Sequence, residues 1–330
     1  MTSTKLIPVL LFVSLINLHC RGKGLVSKEN FGLKVSTYHT VNESLTFGGF
    51  THIAFGPGGS EIITACTTHR FLYRNNPKEP FLESPLSVKR HHSVVYNPRD
   101  NLYYANDTDN HRLISFTDPS KNIITAETKE ICGIKLQRPH DTVIDPETGW
   151  IYALNPNSGH IFRFTSIGEN ESVIKAPTQG YARALTFANG KLYAIGSSKG
   201  RIVEVVDWEK PTFKVYDSFD PTGRQGGAGS WKTTGLVLND AEFLNGHWYA
   251  TSYFSKSYAK GTDFDQNKFI RFKTLDDMVS GNWTDLSSLV PSGLTPYFLT
   301  VNENKLYLAT FNHESKGLGD CILQFEPTEN

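Results

Sequence analysis

Side chains that could bind a metal, transfer a proton or bind an anion recur at one position of a repeated sequence pattern in this chain. Each stands where a short apolar segment begins, and five of the six have large polar side chains. The set is Thr51, His92, His140, Arg183, Asn239 and Tyr297. Imidazoles bind metals or move protons near neutral pH, and arginine offers a fixed positive charge to a carboxylate or an oxyanion. The amide and the phenol add neutral hydrogen-bonding groups.

The residues one position later form a second set of mixed character. They are His52, Ser93, Asp141, Ala184, Asp240 and Phe298. Because side chains alternate along a strand, we expect one of the two sets to face a channel and the other to enter the packing between sheets. Asp141 follows His140 directly, and we expect its carboxylate to orient that imidazole.

These positions belong to a repeat that fills most of the chain. Its units start at residues 51, 92, 140, 183, 239 and 297, so they are spaced by roughly 40 to 58 residues. Each unit contains a strand pattern, a turn rich in Gly, Asn, Asp or Pro, and a second and third strand pattern. Fourth strands are weaker and are predicted, for example, at residues 122–126 and 213–216. The spacing predicts an all-β fold, a six-bladed β-propeller.

The ends of the chain suggest how the ring closes. The sixth unit has no fourth strand after Phe325, whereas the strand pattern from Leu33 to His39 precedes the first unit and has no partner. We predict that this N-terminal strand pairs with the strand from Cys321 to Phe325. The pairing completes the last blade and removes an open sheet edge.

The N-terminal segment predicts export. Residues 1–22 have the short basic start and the apolar run of a signal peptide, which leaves residues 23–330 as a single propeller domain outside the cell. Four Asn-x-Ser/Thr sequences, at Asn42, Asn106, Asn170 and Asn282, are glycosylation acceptors if exposed. Cys66, Cys132 and Cys321 remain after cleavage; an exported chain can pair two of them, and which two is open.

Charge and hydropathy exclude some classes of partner. The chain carries 33 basic and 33 acidic residues and has no basic stripe, so we do not expect it to bind nucleic acid. No apolar stretch after the leader is long enough for a membrane span. The partners that remain are a small molecule or another extracellular ligand. The oligomeric state is open.

The units at 92–116 and 140–164 carry a family resemblance. Residues 92–116, with Asp109-Asn110-His111-Arg112-Leu113 before the third strand, resemble an NHL repeat, and residues 140–164 resemble it more loosely. The resemblance implies a propeller and almost nothing about activity.

Two enzyme families of similar fold share smaller features with the chain. Asn239-Asp240 resembles the Asn-Asp element of lactonase propellers of the paraoxonase and gluconolactonase types, which implies calcium in the channel. Residues 90–93 and 138–141 resemble the histidine motifs of the peptide-amidating lyase, which implies zinc. Neither family's full set of ligands is present here.

Two functional hypotheses of different class follow. The first is a metal-dependent hydrolase of lactones or esters, or a lyase, acting on a small molecule. Its catalytic candidates are His140, His92, Arg183 and Tyr297, and its candidate ligands for calcium or zinc are His92, His140, Asn239 and Asp240. The second is a non-enzymatic extracellular module that binds a ligand or a matrix component.

Overall fold

The computed structural model describes residues 31–40, 49–219, 236–253, 267–312 and 320–328. Six four-stranded antiparallel sheets follow one another along the chain. The first strand of each sheet packs against the first strands of its two neighbours, and the sixth sheet packs against the first. This closed ring confirms the prediction of an all-β, six-bladed propeller. The leader predicted at residues 1–22 lies outside the described residues.

The strands of the first three blades are as follows in chain order. β1 (Leu33–Thr40) comes first in the chain and joins the sixth blade. The first blade contains β2 (Phe50–Phe55), β3 (Glu61–Ala65), β4 (Leu72–Arg74) and β5 (Leu82–Glu83). The second contains β6 (Val94–Asn97), β7 (Leu102–Asp107), β8 (Arg112–Phe116) and β9 (Ala126–Thr128). A separate hairpin of β10 (Glu130–Ile131) and β11 (Ile134–Lys135) precedes the third blade, which contains β12 (Thr142–Ile144), β13 (Ile151–Asn155), β14 (His160–Phe164) and β15 (Ser172–Lys175).

The remaining blades follow the same plan. The fourth contains β16 (Ala184–Ala188), β17 (Lys191–Gly196), β18 (Arg201–Asp207) and β19 (Thr212–Asp217). The fifth contains β20 (Leu238–Leu244), β21 (His247–Ser252), β22 (Lys268–Phe272) and β23 (Thr284–Asp285). The sixth contains β24 (Thr295–Asn302), β25 (Lys305–Phe311), β26 (Cys321–Pro327) and β1. A short helix, α1 (Leu275–Ser280), lies between β22 and β23.

Strand β1 closes the ring as predicted. It pairs with β26 in antiparallel register, with Leu33 opposite Pro327 and Thr40 opposite Cys321. A partly buried polar cluster then ties this strand to the first blade. The Tyr38 hydroxyl donates to Glu61 (2.6 Å), and Arg74 donates to both Glu61 (3.0 Å) and the Tyr38 oxygen (2.9 Å).

The turns show why the sequence forms hairpins here. Asn189-Gly190 joins β16 to β17 and Asn245-Gly246 joins β20 to β21, and all four residues have positive φ (52°, 71°, 50° and 76°). Two consecutive left-handed residues match the twist of paired strands, and Asn-Gly adopts them readily. Between blades, aromatic side chains fill the space: Tyr103 stacks on Phe116 (5.3 Å) and Phe116 on Phe71 (5.6 Å), which joins the first two blades.

Three local predictions from the sequence are not confirmed by the structure. The fourth strand of the second blade begins at Ala126 rather than at Asn122, and Ile123 is exposed. The Asn106 side chain is buried, donating to Ser93 (2.7 Å) and accepting from Thr142 (3.2 Å), so it is not available to a glycan in the folded protein. The three cysteines in the described residues, Cys66, Cys132 and Cys321, form no disulfide. No helix within the described ranges has both the length and the apolar character needed to cross a bilayer.

Candidate functional site at the histidine end of the channel

The starts of the first strands bring five of the six predicted residues to one end of the channel. His92 and His140 each stand two residues before a first strand (β6 and β12), Arg183 stands directly before β16, and Asn239 and Tyr297 lie near the starts of β20 and β24. We call these five residues the histidine end. It is assembled from five different blades.

Thr51, the sixth predicted residue, does not join this cluster. Its side chain is fully buried, shares a hydrogen bond with the Thr64 hydroxyl (2.7 Å) and donates to the carbonyl oxygen of His91 (3.2 Å). It therefore links the first and second blades.

The two predicted histidines are stacked. The ring centroids of His92 and His140 are 3.9 Å apart, the planes are inclined by 20°, and both side chains are buried. His140 Nδ1 lies 3.0 Å from the carbonyl oxygen of Arg183. A carbonyl only accepts hydrogen bonds, so Nδ1 carries the proton and Nε2 carries the lone pair. His92 Nδ1 is buried without a hydrogen-bond partner.

The surroundings keep both imidazoles neutral. Burial lowers the pKa of His140 to about 3, and the Arg183 guanidinium acts in the same direction. Burial also lowers the pKa of His92 well below its ordinary value, with His140 and Arg183 as further causes. Near pH 7 the histidine end therefore holds two uncharged rings with lone pairs that can accept a proton.

Arg183 is the positive charge of this end. Its Nη1 donates to the Asn239 side-chain oxygen (2.7 Å), and its guanidinium carbon lies 5.6, 5.8 and 5.9 Å from the ring centroids of Tyr181, Tyr253 and Tyr297. Its Nε is buried without a hydrogen-bond partner. Since no carboxylate of the described residues pairs with it, the guanidinium can bind an anion.

Tyr297 and two other tyrosines complete the wall around Arg183. Burial raises the pKa of Tyr297 above its ordinary value, so its phenol stays protonated. Sequence reasoning missed Tyr181 and Tyr253 because neither position repeats from unit to unit. The only local signal was that Tyr181 stands two residues before Arg183.

Asp141 does not orient His140, in contrast to the expectation from the sequence. Its Oδ1 accepts the backbone N–H of Thr142 (2.8 Å), and its Oδ2 accepts that of Leu185 on the next blade (2.7 Å). The imidazole is held instead by the Arg183 carbonyl oxygen. The Asp141 carboxylate thus joins the third and fourth blades.

Asp240 links the fifth and sixth blades in the same way. Its Oδ1 accepts the N–H of Ala241 (2.8 Å), and its Oδ2 accepts that of Leu299 (2.8 Å). Two positions beyond Asp240, Glu242 accepts a hydrogen bond from the Thr186 hydroxyl (2.9 Å). We call Asp141, Asp240 and Glu242 the acidic end, since they lie farther along the first strands than the histidine end.

Burial raises the pKa values of the acidic end, whereas it lowers those of the two histidines. It raises the pKa of Asp141 to about 7, and it raises the pKa of Asp240 and of Glu242 well above their ordinary values. The negative charge of Asp141 is the second cause for Asp240, and that of Asp240 is the second cause for Glu242.

The four residues predicted as metal ligands do not form one donor set. The His92 and His140 rings are stacked nearly parallel, so their in-plane lone pairs do not converge on a point between them. The Asn239 oxygen accepts from a guanidinium, and both Asp240 oxygens accept backbone N–H groups. In the part of the chain that the structure describes, no three His, Cys, Asp or Glu side chains are arranged to hold a metal ion. These four residues therefore do not fit a calcium or zinc ion as one site.

Comparisons with known proteins define the fold. No family model matches the chain, and no curated protein matches its sequence. A catalytically inactive virginiamycin B lyase from Staphylococcus aureus with quinupristin aligns with a TM-score of 0.59 and 14% identity, covering 89% of this chain and 99% of that one. A candidate gluconolactonase aligns at 0.59 and 13%, covering 92% and 97%. A protein of unknown function from Bacteroides thetaiotaomicron aligns at 0.60 and 11%, covering 89% and 76%.

These alignments confirm the expected likeness to gluconolactonase-type propellers at the level of fold. At such low identity they do not transfer an activity, because one propeller fold carries many unrelated functions.

Proposed function

We propose that this chain binds a small anionic molecule at the histidine end and acts on it as a hydrolase or a lyase. The observation that carries the proposal is Arg183, whose Nε has no partner and which stands beside two neutral imidazoles. An uncompensated guanidinium with a free donor, enclosed by aromatic rings, is suited to a carboxylate or to a developing oxyanion. We also propose that residues 1–22 are a signal peptide and that the protein acts outside the cell, because that segment has a short basic start and an apolar run.

The residues have complementary roles in this scheme. Arg183 binds the negative charge of the substrate and stabilises the negative oxygen that develops during reaction. His140 Nε2 accepts a proton, either from the water that attacks an ester or lactone carbonyl or from a substrate carbon in an elimination. Its Nδ1–H stays bonded to the Arg183 carbonyl oxygen, which holds the ring in place and stabilises the imidazolium. The protonated phenol of Tyr297 donates a hydrogen bond to the leaving oxygen.

Anion binding also adjusts the base. The positive charge of Arg183 is among the causes that lower the pKa of His140 and of His92. A bound anion offsets that charge, and so it raises both pKa values toward the range in which a general base works well. The substrate itself therefore activates the imidazole.

The structural neighbours are compatible with such chemistry, since they include a lyase and a candidate gluconolactonase. One observation favours the second candidate, a non-enzymatic binding module. Asn239, Asp141 and Asp240 all use their side chains in hydrogen bonds between blades. Polar groups beside the channel thus also have a purely structural use.

The test is a panel of lactones and esters, each with and without a carboxylate, assayed with the wild type, with Arg183→Gln and with Arg70→Gln. Arg70 is exposed on the first blade, so its replacement removes one positive charge away from the channel. We expect turnover of a carboxylate-bearing substrate, and a loss of about 10- to 100-fold in kcat/KM for Arg183→Gln only.

Parallel assays with EDTA, calcium and zinc measure any metal dependence. Saturable anion binding that needs Arg183, without turnover of any substrate, would support the binding module instead. If Arg183→Gln matches the wild type in both turnover and binding, the proposal is wrong.

A further inference from the structure

A cavity of about 370 Å³ lies beside the acidic end of the channel. Its lining includes Asp141, Asp240 and Phe298 and continues along the first strands to Ile144, Phe187 and Asn302. None of the five residues of the histidine end lines it. Phe298 separates the two regions, because its ring is stacked 5.8 Å from that of His140 while it also forms part of the cavity wall. The cavity is therefore a second compartment of the channel.

The walls of this cavity combine aromatic and aliphatic side chains with exposed polar atoms. Phe55, Phe187, Phe243 and Phe298 line it, together with aliphatic residues from the first strands of every blade except the fifth. A cavity of this size that offers both aromatic surfaces and polar groups can hold a small organic molecule. The walls thus suit a ligand with an aromatic or aliphatic body.

The carboxyl groups that line the cavity have no lysine or arginine as a counterpart there. Asp141, Asp240 and Glu242 line it, and no Lys or Arg does. None of the three forms an ion pair within the described residues, and only one of the two Glu242 oxygens has a hydrogen-bond partner there. Burial without a counter-charge disfavours the ionised form of these carboxyl groups, and a bound cation stabilises that form.

A second polar atom in the same wall has no partner. His52 lines the cavity, and its Nδ1 is buried without a hydrogen bond. A ring nitrogen that accepts from a ligand N–H resolves this, and an ammonium group supplies up to three such donors. The His52 nitrogen and the free Glu242 oxygen are both hydrogen-bond acceptors, so both favour a ligand that donates hydrogen bonds.

We propose that this cavity is a binding site for a small organic ammonium ion, whose charged group lies at Glu242 and whose apolar body packs on the phenylalanine walls. Aromatic faces add to the attraction for a cation. A metal ion fits less well, because both Asp141 and Asp240 use each oxygen on a backbone N–H and the walls offer few other oxygen ligands.

The experiment compares three probes of one shape by titration calorimetry: 2-phenylethylammonium, the neutral 2-phenylethanol and the anionic phenylacetate. The ammonium is expected to bind at least about tenfold more tightly than the alcohol, because only it makes a charge-assisted hydrogen bond. Glu242→Gln keeps the shape of the side chain and removes its charge, so it should weaken ammonium binding by about tenfold or more and leave alcohol binding unchanged. Glu83→Gln, on an exposed edge strand, is the matched control and should bind as the wild type does.

Two further measurements keep the result independent of folding and of the other site. Phe187→Leu should weaken both the ammonium and the alcohol, because it removes wall area without changing charge. Arg183→Gln should leave ammonium binding unchanged. Equal binding of ammonium and alcohol, an unaffected Glu242→Gln variant with a native circular dichroism spectrum, or no saturable ammonium binding to the wild type would each overturn the proposal.

Discussion

The two ends of the central channel contain ionisable groups of opposite type. The histidine end has two imidazoles and a guanidinium but no carboxylate among the groups that face Arg183. The acidic end has three carboxyl groups and no Lys or Arg in its lining. At both ends burial favours the uncharged form, so it lowers the pKa of the imidazoles and raises the pKa of the carboxyl groups. A guanidinium and two imidazoles thus lie on one side of Phe298 and three carboxyl groups on the other, and a ligand of opposite sign would favour the charged form of the groups at each end.

The largest difference between neighbouring residues is expected within the histidine end. If this end is catalytic, His140→Ala should lower kcat by about 100-fold or more, because it removes the general base, whereas Asn239→Ala should cost about tenfold or less, because it removes one neutral contact to Arg183. Steady-state kinetics on a substrate from the lactone and ester panel measures both values.

The order of these two effects also distinguishes the schemes. A calcium site of the lactonase type would make Asn239→Ala, or a change at Asp240, the more damaging one. Equal activity of both variants, each with wild-type resistance to urea, would reject both catalytic schemes and leave the binding module.

The second prediction contrasts the two ends by stability. Asp240→Ala leaves the N–H groups of Ala241 and Leu299 without acceptors at a buried junction, so it should lower the free energy of unfolding by about 2 to 4 kcal/mol. At the histidine end, His92→Gln should change it by less than about 1 kcal/mol, because His92 Nδ1 has no partner to lose. Urea unfolding measures both, and a larger loss for His92→Gln would show that the acidic end does not hold the ring together.

The third prediction concerns the pH dependence of stability, which the two ends change in opposite directions. His140 has a lowered pKa in the folded state, so its contribution to stability is present above about pH 6.5 and is lost as the pH falls toward 3. Asp141 has a raised pKa of about 7, so its contribution is present below its unfolded value near 4 and is lost as the pH rises through 7. Between about pH 4 and 6.5 the two groups change the free energy of unfolding in opposite directions, so their effects largely cancel.

Replacing one of the two groups should therefore reveal the pH dependence of stability that the other one causes. From pH 6.5 to pH 4.5, Asp141→Asn should lose about 1 to 2 kcal/mol of stability relative to the wild type, and His140→Gln should gain a similar amount. Urea unfolding at a series of pH values measures both slopes. Parallel curves for the wild type and both variants would contradict the pKa directions at the two ends.

The blades and the meeting of His92 with His140 could be predicted from the sequence because both depend on local order. Each hairpin is encoded by its own turn, as at Asn189-Gly190, and first strands that start at equivalent steps must meet around one axis. The pairing of Leu33–Thr40 with the last strand followed from a missing fourth strand and a strand pattern without a partner.

The roles of single polar residues could not be predicted in the same way. Asp141 is adjacent to His140 in sequence, yet its second acceptor contact goes to Leu185, 44 residues away. Asn106 fits a glycosylation sequence, but its side chain lies inside a junction with Thr142. The cavity was missed because its walls are ordinary strand residues, such as Phe187 and Val301, which have no signature beyond alternation. Sequence patterns thus place backbones well, whereas the partner of a polar atom depends on which distant segment folds against it.

The pairing of β1 with β26 brings the two termini of the ring to one place. The backbone N–H of Thr328 donates to the carbonyl oxygen of Gly32 (2.9 Å), so the chain enters and leaves the propeller within one hydrogen bond. During synthesis, the first strand to leave the ribosome must therefore wait for the last one before its sheet can form. Ring closure therefore becomes the final step of folding, because it needs strands from both ends of the propeller.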